Sequence, residues 1–275
     1  MKITKMHGTG NDFIVIEDLE NNFVGKEKDL AVTLCDRHFG VGGDGILLVR
    51  KSHTADIQMV IINSDGSYAS MCGNGLRCFV KYVFDNKLIN SDKINVETGD
   101  GIKLAEVTHI NGVATEITIN MGEPSFEPAS IPALVDEEIV NMDFQANNKN
   151  YKLNTMLLGV PHTIIMGELN KFDVEEGKYI ENSKQLFPQG TNVNFCEVID
   201  RKRIKVKTWE RGAGATLACG TGCCASVVAC NKLGLTDTNV SVQVPGGELK
   251  INICEEGVMM TGPAVTTFTG ETELV

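Results

Sequence analysis

A Cys-Gly-x-Gly pattern occurs twice in this 275-residue chain, as Met71-Cys72-Gly73-Asn74-Gly75 and as Ala218-Cys219-Gly220-Thr221-Gly222, and each copy runs into a helix-forming stretch. Matching segments flank the two copies in the same order. Asn11-Asp12-Phe13 precedes the first copy, and Asn192-Val193-Asn194-Phe195 precedes the second. Downstream, Val96-Glu97-Thr98-Gly99-Asp100-Gly101 corresponds to Val244-Pro245-Gly246-Gly247-Glu248, Gly112-Val113 to Gly257-Val258, and Met121-Gly122 to Thr261-Gly262. Ordered matches of this kind mark an internal repeat, in which two copies of one structural unit each build a core. Two related domains are expected.

The periodicities say what each domain contains. Short β-branched runs at 13–16, 46–49, 57–62, 116–119, 204–208 and 240–244 alternate with Gly, Asn and Asp turns and read as strands. After residue 75, Leu76, Phe79, Val80, Val83 and Phe84 fall on one helical face. A second helix is expected over 223–233, where Ala225, Val227, Val228, Ala229 and Cys230 are apolar almost all round and Gly234 supplies a stop. The fold class that follows is α+β, with two pseudo-symmetric domains, each a curved, mostly antiparallel sheet or barrel around a central helix. The first domain is expected over 1–122 and the second over 123–262. The segment 263–275 is surplus to the second repeat and available to return to the first domain as an extra strand. Residues 123–150, rich in Pro, Asp and Asn, read as a connector with little regular structure.

Composition narrows the function. With 25 basic against 36 acidic residues the formal charge is −11, the wrong sign for following a phosphate backbone, so nucleic acid is not expected as a partner. No stretch approaches the roughly 20 apolar residues that cross a bilayer, and the N-terminus lacks the apolar core of a secretion signal, which points to a cytoplasmic protein without a membrane role. Nine cysteines, an odd number in a chain long enough to fold without staples, read as mostly unbridged thiols.

A cysteine placed directly before Gly-x-Gly and a helix lies beside unpaired backbone N–H groups and the positive end of the helix dipole, both of which favour thiolate. The same N–H groups can hold a carboxylate, because the glycines allow close approach. Two such motifs on related domains would bring two sulfurs and two anion-binding helix ends to one small ligand. Inverting a tetrahedral carbon needs that arrangement: one base removes a proton from one face while an acid delivers a proton to the other. Cys72 and Cys219 are thus the candidate pair, cysteine having an ordinary pKa of about 8.5, within reach of neutrality.

The segments Lys5-Met6-His7-Gly8-Thr9-Gly10-Asn11-Asp12-Phe13, Asn63-Ser64-Asp65-Gly66-Ser67, Cys72-Gly73-Asn74-Gly75-Leu76-Arg77-Cys78, Glu210-Arg211-Gly212-Ala213-Gly214 and Ala218-Cys219-Gly220-Thr221-Gly222 closely resemble the signatures of the diaminopimelate epimerase family. The resemblance covers the whole chain. It implies interconversion of LL- and meso-diaminopimelate in lysine and cell-wall precursor biosynthesis, with no pyridoxal phosphate or metal and no other cofactor, and Cys72 and Cys219 exchanging acid and base roles with direction. It also implies that Asn11, Asn63, Asn192 and Arg211 bind the amino-acid substrate, with backbone contacts from Gly73, Asn74, Gly220 and Thr221. Glu210 would accept from the ammonium group and, with His162, tune the thiols. A homodimer is implied, with Phe268 in the terminal segment at its contact. The chain departs from the family pattern at Gly45, where Gln is common, at Val160, where Asn is common, and at Ala215, where Glu is common. Val160 is expected near the distal end of the substrate, which leaves a racemase of another amino acid on the same scaffold as the nearer alternative.

The remaining candidates read as structural. Cys223, Cys224 and Cys230 lie on an apolar helix and are expected to be buried. Cys35, Cys78, Cys196 and Cys254 have no context that assigns them a role, and His7 and Trp209 read as packing residues. A Cys-rich metal or redox module over 219–230 is the rival from another class, but the stretch lacks a Cys-x-x-Cys pair and has no partner ligands at metal-binding spacing.

Overall fold

In the computed structural model, which describes residues 1–274, the chain divides into two units, Met1–Ile119 with the segment from Thr261 onward, and Asn120–Met260. The first contains β1 (Lys2–Gly8), β2 (Asn11–Glu17), α1 (Glu27–Cys35), β3 (Gly45–Arg50), β4 (Ile57–Asn63), β5 (Tyr68–Ala69), α2 (Gly73–Asp85), β6 (Lys93–Thr98), β7 (Gly101–Ile110) and β8 (Val113–Asn120). β1 and β2 form a hairpin closed by Thr9 and Gly10 at φ 51° and 89°, the two left-handed residues of a tight turn whose twist matches the strands. β2 then pairs parallel with β3, β3 antiparallel with β4, and β6 antiparallel with β7.

Every residue of β3 is buried, because the sheet carries a helix on each face. On one face Ile46 and Leu48 pack with Leu30 and Leu34 of α1 in a core that also holds Ile14, Ile16 and Ile62. On the other face lies α2, packed on β1 to β4 and β7 through Leu76, Phe79, Val80 and Val83. The approach is close: a Cβ on Gly75 would stand 3.3 Å from the Phe13 ring and 3.4 Å from Leu47. The predicted apolar stripe is therefore the buried face, except that Phe84 is only half-buried and lies against His109, with ring centroids 5.2 Å apart.

The second unit contains β9 (Met142–Ala146), β10 (Lys149–Leu158), β11 (Val160–Met166), α3 (Gly177–Glu181), β12 (Asn192–Asp200), β13 (Arg203–Glu210), β14 (Gly214–Thr216), α4 (Gly220–Lys232), β15 (Asn239–Val244), β16 (Gly247–Cys254) and all but the last two residues of β17 (Gly257–Gly262). β10 pairs antiparallel with β11, β11 parallel with β12, and β12 antiparallel with β13. These strands, with β15 and β16, sheathe α4. A second core, including Phe195, Phe187, Ile180 and Tyr151, fills the opposite side. The last strand, β18 (Val265–Glu271), runs antiparallel to β1, and Met1 donates from its N-terminus to the Thr272 carbonyl at 2.7 Å.

Two expectations need correction. The helix read over 223–233 begins three residues earlier, because Cys219 stands in extended backbone as its N-cap and Gly220, Thr221 and Gly222 form the first turn. Residues 123–150 are not all irregular: β9 forms there and pairs with β10 across a tight turn at Asn147 and Asn148, both left-handed.

α2 and α4 end alike. Each has 13 residues and a cysteine N-cap. Each closes with a left-handed residue, Lys87 at φ 58° or Gly234 at φ 71°, followed by a residue whose N–H returns to the last turn, Leu88 to Val83 and Leu235 to Cys230, both at 2.9 Å.

Candidate active site

In the first unit the hairpin turn and the start of α2 bring Asn11, Cys72 and Asn74 together. Cys72 Sγ accepts from the Gly75 N–H at 3.4 Å and donates to Asn11 Oδ1 at 3.5 Å. Asn74 Nδ2 donates to the same Asn11 oxygen at 3.3 Å. Beneath them Arg77, fully buried, donates to Asn74 Oδ1 at 2.9 Å, to the Gly73 carbonyl at 3.3 Å and to the Pro263 carbonyl at 3.2 Å. A guanidinium thus holds the turn that carries the sulfur.

The other end of Asn11 is held by Asp44, whose Oδ2 accepts from Asn11 Nδ2 at 2.6 Å and from the Asp12 N–H at 3.1 Å. Arg37 donates to both Asp44 and Asp12, at 2.9 and 2.7 Å, and Lys5 donates to Asp12 and to the Gly42 carbonyl. Burial alone would raise the Asp12 carboxyl, but the hydrogen bonds from Arg37 and Lys5 outweigh it and hold it down at about 2. Asn63 lies one step further out: its Nδ2 donates to Ser67 Oγ at 3.0 Å, and its neighbour Ser64 donates from its N–H to the Asp44 carbonyl at 2.9 Å.

In the second unit Cys219 is buried at the N-cap of α4, with its Sγ 3.4 Å from Thr221 Oγ1. Here the expectation that the helix end favours thiolate needs correction. Burial and the charge of Glu210 outweigh the contributions of Thr221 and the Gly222 N–H, and push the Cys219 thiol well above its ordinary value. Glu210 itself accepts from Thr216 Oγ1 at 2.6 Å.

Asn192 joins two parts of this unit. Its Oδ1 accepts from the Arg211 N–H at 2.9 Å and its Nδ2 donates to the Pro161 carbonyl at 3.0 Å. The Arg211 side chain is exposed and donates to the Gln189 carbonyl at 2.9 Å. His162 sits opposite Asn192 in the β11–β12 register and is fully buried. Burial, assisted by the positive charge of Arg211, lowers it to about 3, so the ring is neutral. Its Nδ1 lies 3.2 Å from Asn194 Nδ2.

Val160 opens β11 and is 36% exposed. Ala215 is exposed on β14, opposite Trp209. Gly45 has a backbone reason: a Cβ there would come within 2.6 Å of the Ile62 carbonyl, so at this position β3 and β4 leave no room for a side chain. Cys223, Cys224 and Cys230 are buried in α4, and among the described residues no cluster of His, Cys, Asp or Glu is arranged to hold a metal ion. No helix among them is long and apolar enough to cross a membrane.

Sequence reasoning missed Asp44 and Asn194. The Asn194 signal was present in the Asn-x-Asn-Phe segment before the second motif. Asp44 had none beyond its place in a Gly-rich turn.

Solved structures share this architecture. A probable proline racemase from Agrobacterium radiobacter K84 superposes with a TM-score of 0.73 at 14% identity, over 100% of this chain and 93% of that one. A Bacillus anthracis phenazine biosynthesis protein of the PhzF family superposes at 0.71 and 13% identity, over 99% and 98%. These likenesses define the class of fold. The particular family comes from sequence: the diaminopimelate epimerase family profile matches residues 3–127 and 155–267. The curated diaminopimelate epimerase of Clostridium perfringens (strain 13 / Type A) is 58% identical over 264 residues, 96% of each chain, and that of Methanococcus maripaludis is 39% identical over the full length of both. The chain belongs to the diaminopimelate epimerase family.

Proposed function

We propose that this protein is a cofactor-independent epimerase that interconverts LL- and meso-diaminopimelate in the cytoplasm, using Cys72 and Cys219 as the two bases. The observation that carries the reading is the duplicated cap: two cysteines, each ending in extended backbone at the start of an equivalent 13-residue helix. One sulfur, as thiolate, takes the α-proton. The other, as thiol, gives its proton to the opposite face of the same carbon. Bond making and breaking balance, and the two cysteines finish with their protonation states exchanged. The proton held on Cys219 by burial suits the donor role in one direction.

The helix N-termini at Gly73-Asn74 and Gly220-Thr221 supply N–H groups for the substrate carboxylate, where negative charge develops as the proton leaves. Asn63, Asn192 and the Arg211 guanidinium serve the distal amino-acid group, and Glu210 accepts from the ammonium. A homodimer is supported by β18, which leaves Val265 and Phe268 at 44% and 46% exposure on the first unit.

Incubation with LL-diaminopimelate in D2O, followed by separation of stereoisomers, tests the reading. The product is expected to carry deuterium at the inverted carbon, and Cys72→Ala and Cys219→Ala are each expected to abolish inversion. Near-normal epimerisation by either variant would refute the two-base assignment. Turnover of another amino acid in place of diaminopimelate would keep the mechanism and replace the substrate.

A further inference from the structure

Asn194 is fully buried on β12, and its contacts decide where the proton sits on His162. Its Nδ2 lies 3.2 Å from His162 Nδ1 and 3.5 Å from the Thr163 carbonyl, while its Oδ1 accepts from the Thr208 hydroxyl at 2.9 Å. A carbonyl oxygen can only accept, so the amide nitrogen must face Thr163, and with it His162. An amide nitrogen can only donate, so His162 Nδ1 must accept. The neutral ring therefore carries its proton on Nε2.

That Nε2–H is sealed from solvent and has no hydrogen-bond partner among the described residues. A buried donor without an acceptor is costly, and natural structures satisfy nearly all of them, so one that persists points to an acceptor that arrives with the ligand or the reaction. Its surroundings lie beside the motif: a Cβ on Gly222, in the first turn of α4, would collide with Asn194 Oδ1. The same side chain thus packs under the turn that follows Cys219 and orients the imidazole.

We propose that Asn194 is a positioning residue that holds His162 as the neutral Nε2–H tautomer, so that His162 serves the reaction as a hydrogen-bond donor to negative charge and not as a proton acceptor. The inference deepens the two-cysteine reading and rests on it, while the tautomer itself stands apart from activity. The proton abstracted from carbon goes to sulfur, and His162 keeps its own throughout. Replacing the amide with a carboxylate reverses the geometry: in Asn194→Asp the ionised side chain can only accept, so Nδ1 must carry a proton, and wherever the ring is neutral Nε2 loses its ability to donate.

Nitrogen NMR of the histidine side chains in the full-length protein, with His162 assigned by difference against His162→Gln, reads this directly. The wild type is expected to show Nε2 protonated and Nδ1 bare from about pH 5 to about pH 8. Asn194→Asp is expected to put a proton on Nδ1 and, over the pH range where the nitrogen spectrum shows its ring neutral, to bare Nε2 and lower kcat about 10²-fold with little change in KM. His162→Gln, which still offers an amide N–H, is expected to retain more activity than His162→Leu. If Asn194→Asp does not fold, Thr208→Val serves, since it frees the amide to turn over and should give a mixture of tautomers. A wild-type proton on Nδ1, or a reversed tautomer with undiminished kcat, would overturn the proposal. Absence of diaminopimelate turnover by the wild type, with the Nε2 proton in place, would instead strike the functional reading.

Discussion

Asn11 turns its amide oxygen, not its nitrogen, toward the sulfur of Cys72, at 3.5 Å. The orientation is imposed from the far side, where Asp44 accepts from Asn11 Nδ2 at 2.6 Å and only the amide nitrogen can meet that carboxylate. Cys72 consequently has an acceptor for its proton in Asn11 and a donor for its lone pairs in the Gly75 N–H. In the proposed two-base reaction, which uses this sulfur as thiol in one direction and thiolate in the other, one group is suited to each form.

Removing Asp44 should release that orientation. Asp44→Ala removes the bonds from Asn11, the Asp12 N–H and Arg37 together, and is expected to lower kcat about tenfold, about 1.4 kcal/mol from the charge-assisted bond that orients Asn11, with a smaller effect on KM. Steady-state kinetics in both directions would measure it. Unchanged kcat in a folded variant would show that Asn11 keeps its orientation without the carboxylate.

Glu210 and Cys219 are coupled through charge. Burial and the Glu210 carboxylate are the largest causes that raise the thiol well above its ordinary value, so Glu210→Gln removes one of them and should bring the Cys219 titration down. Alkylation of Cys219, followed by peptide mapping across a pH series, is expected to reach its half-maximal rate at lower pH in the variant. Coincident profiles would mean that the Glu210 charge does not set the thiol. The raised value also ties the native state to its proton: this contribution to stability is full below the unfolded-state value, about 8.5, and is lost as pH rises above it. Cys35 and Cys78, each pushed by burial to about 12, act in the same direction.

His162 sets the opposite dependence on the acid side. In the unfolded chain it takes up a proton below about pH 6.5, but the buried ring resists protonation until about 3. Between these values the unfolded state binds more protons, so stability must fall as pH falls, by at most about 1.4 kcal/mol per pH unit from this residue. Asp12, held at about 2, adds its own loss only below about pH 4. Denaturant midpoints measured from about pH 6.5 down to about pH 4.5 should therefore decline in the wild type and decline less steeply in His162→Gln. Parallel slopes would place the acid sensitivity elsewhere.

The fold was legible where side-chain periodicity and burial agree. α2 was clear because Leu76, Phe79, Val80 and Val83 repeat on one face and pack on one sheet. α1 was missed because its buried residues, Leu30, Ala31, Leu34 and Cys35, form a short stripe inside a nine-residue helix flanked by charges. The start of α4 was misplaced because Gly220 and Gly222 read as turn residues, whereas here they open the helix. In Gly222 the missing side chain is what lets Asn194 approach. Of the candidate site, the cysteines and Asn74 were visible through the motif itself. Asp44 and Asn194 were not, since their importance lies in which end of an amide they face, a property of contacts that join distant segments.

Val160 gives the substrate question its sharpest handle. It opens β11 two residues before His162, it follows Gly159 at φ 71°, and it is 36% exposed, so its side chain stands at the surface of the second unit and not in its core. If this position faces the distal amino-acid group, the valine leaves that group's polar atoms to Asn63, Asn192 and Arg211, and unpaired polar groups are expensive to bury. Val160→Asn is then expected to raise the ratio of kcat/KM for diaminopimelate over an analogue lacking the distal amino group, by about tenfold, the worth of one added hydrogen bond near the upper end of its range. The comparison of the two substrates on wild type and variant cancels any general effect on folding or on the cysteines. A ratio that does not move would remove Val160 from the recognition surface and leave substrate choice to the groups around Asn63, Asn192 and Arg211.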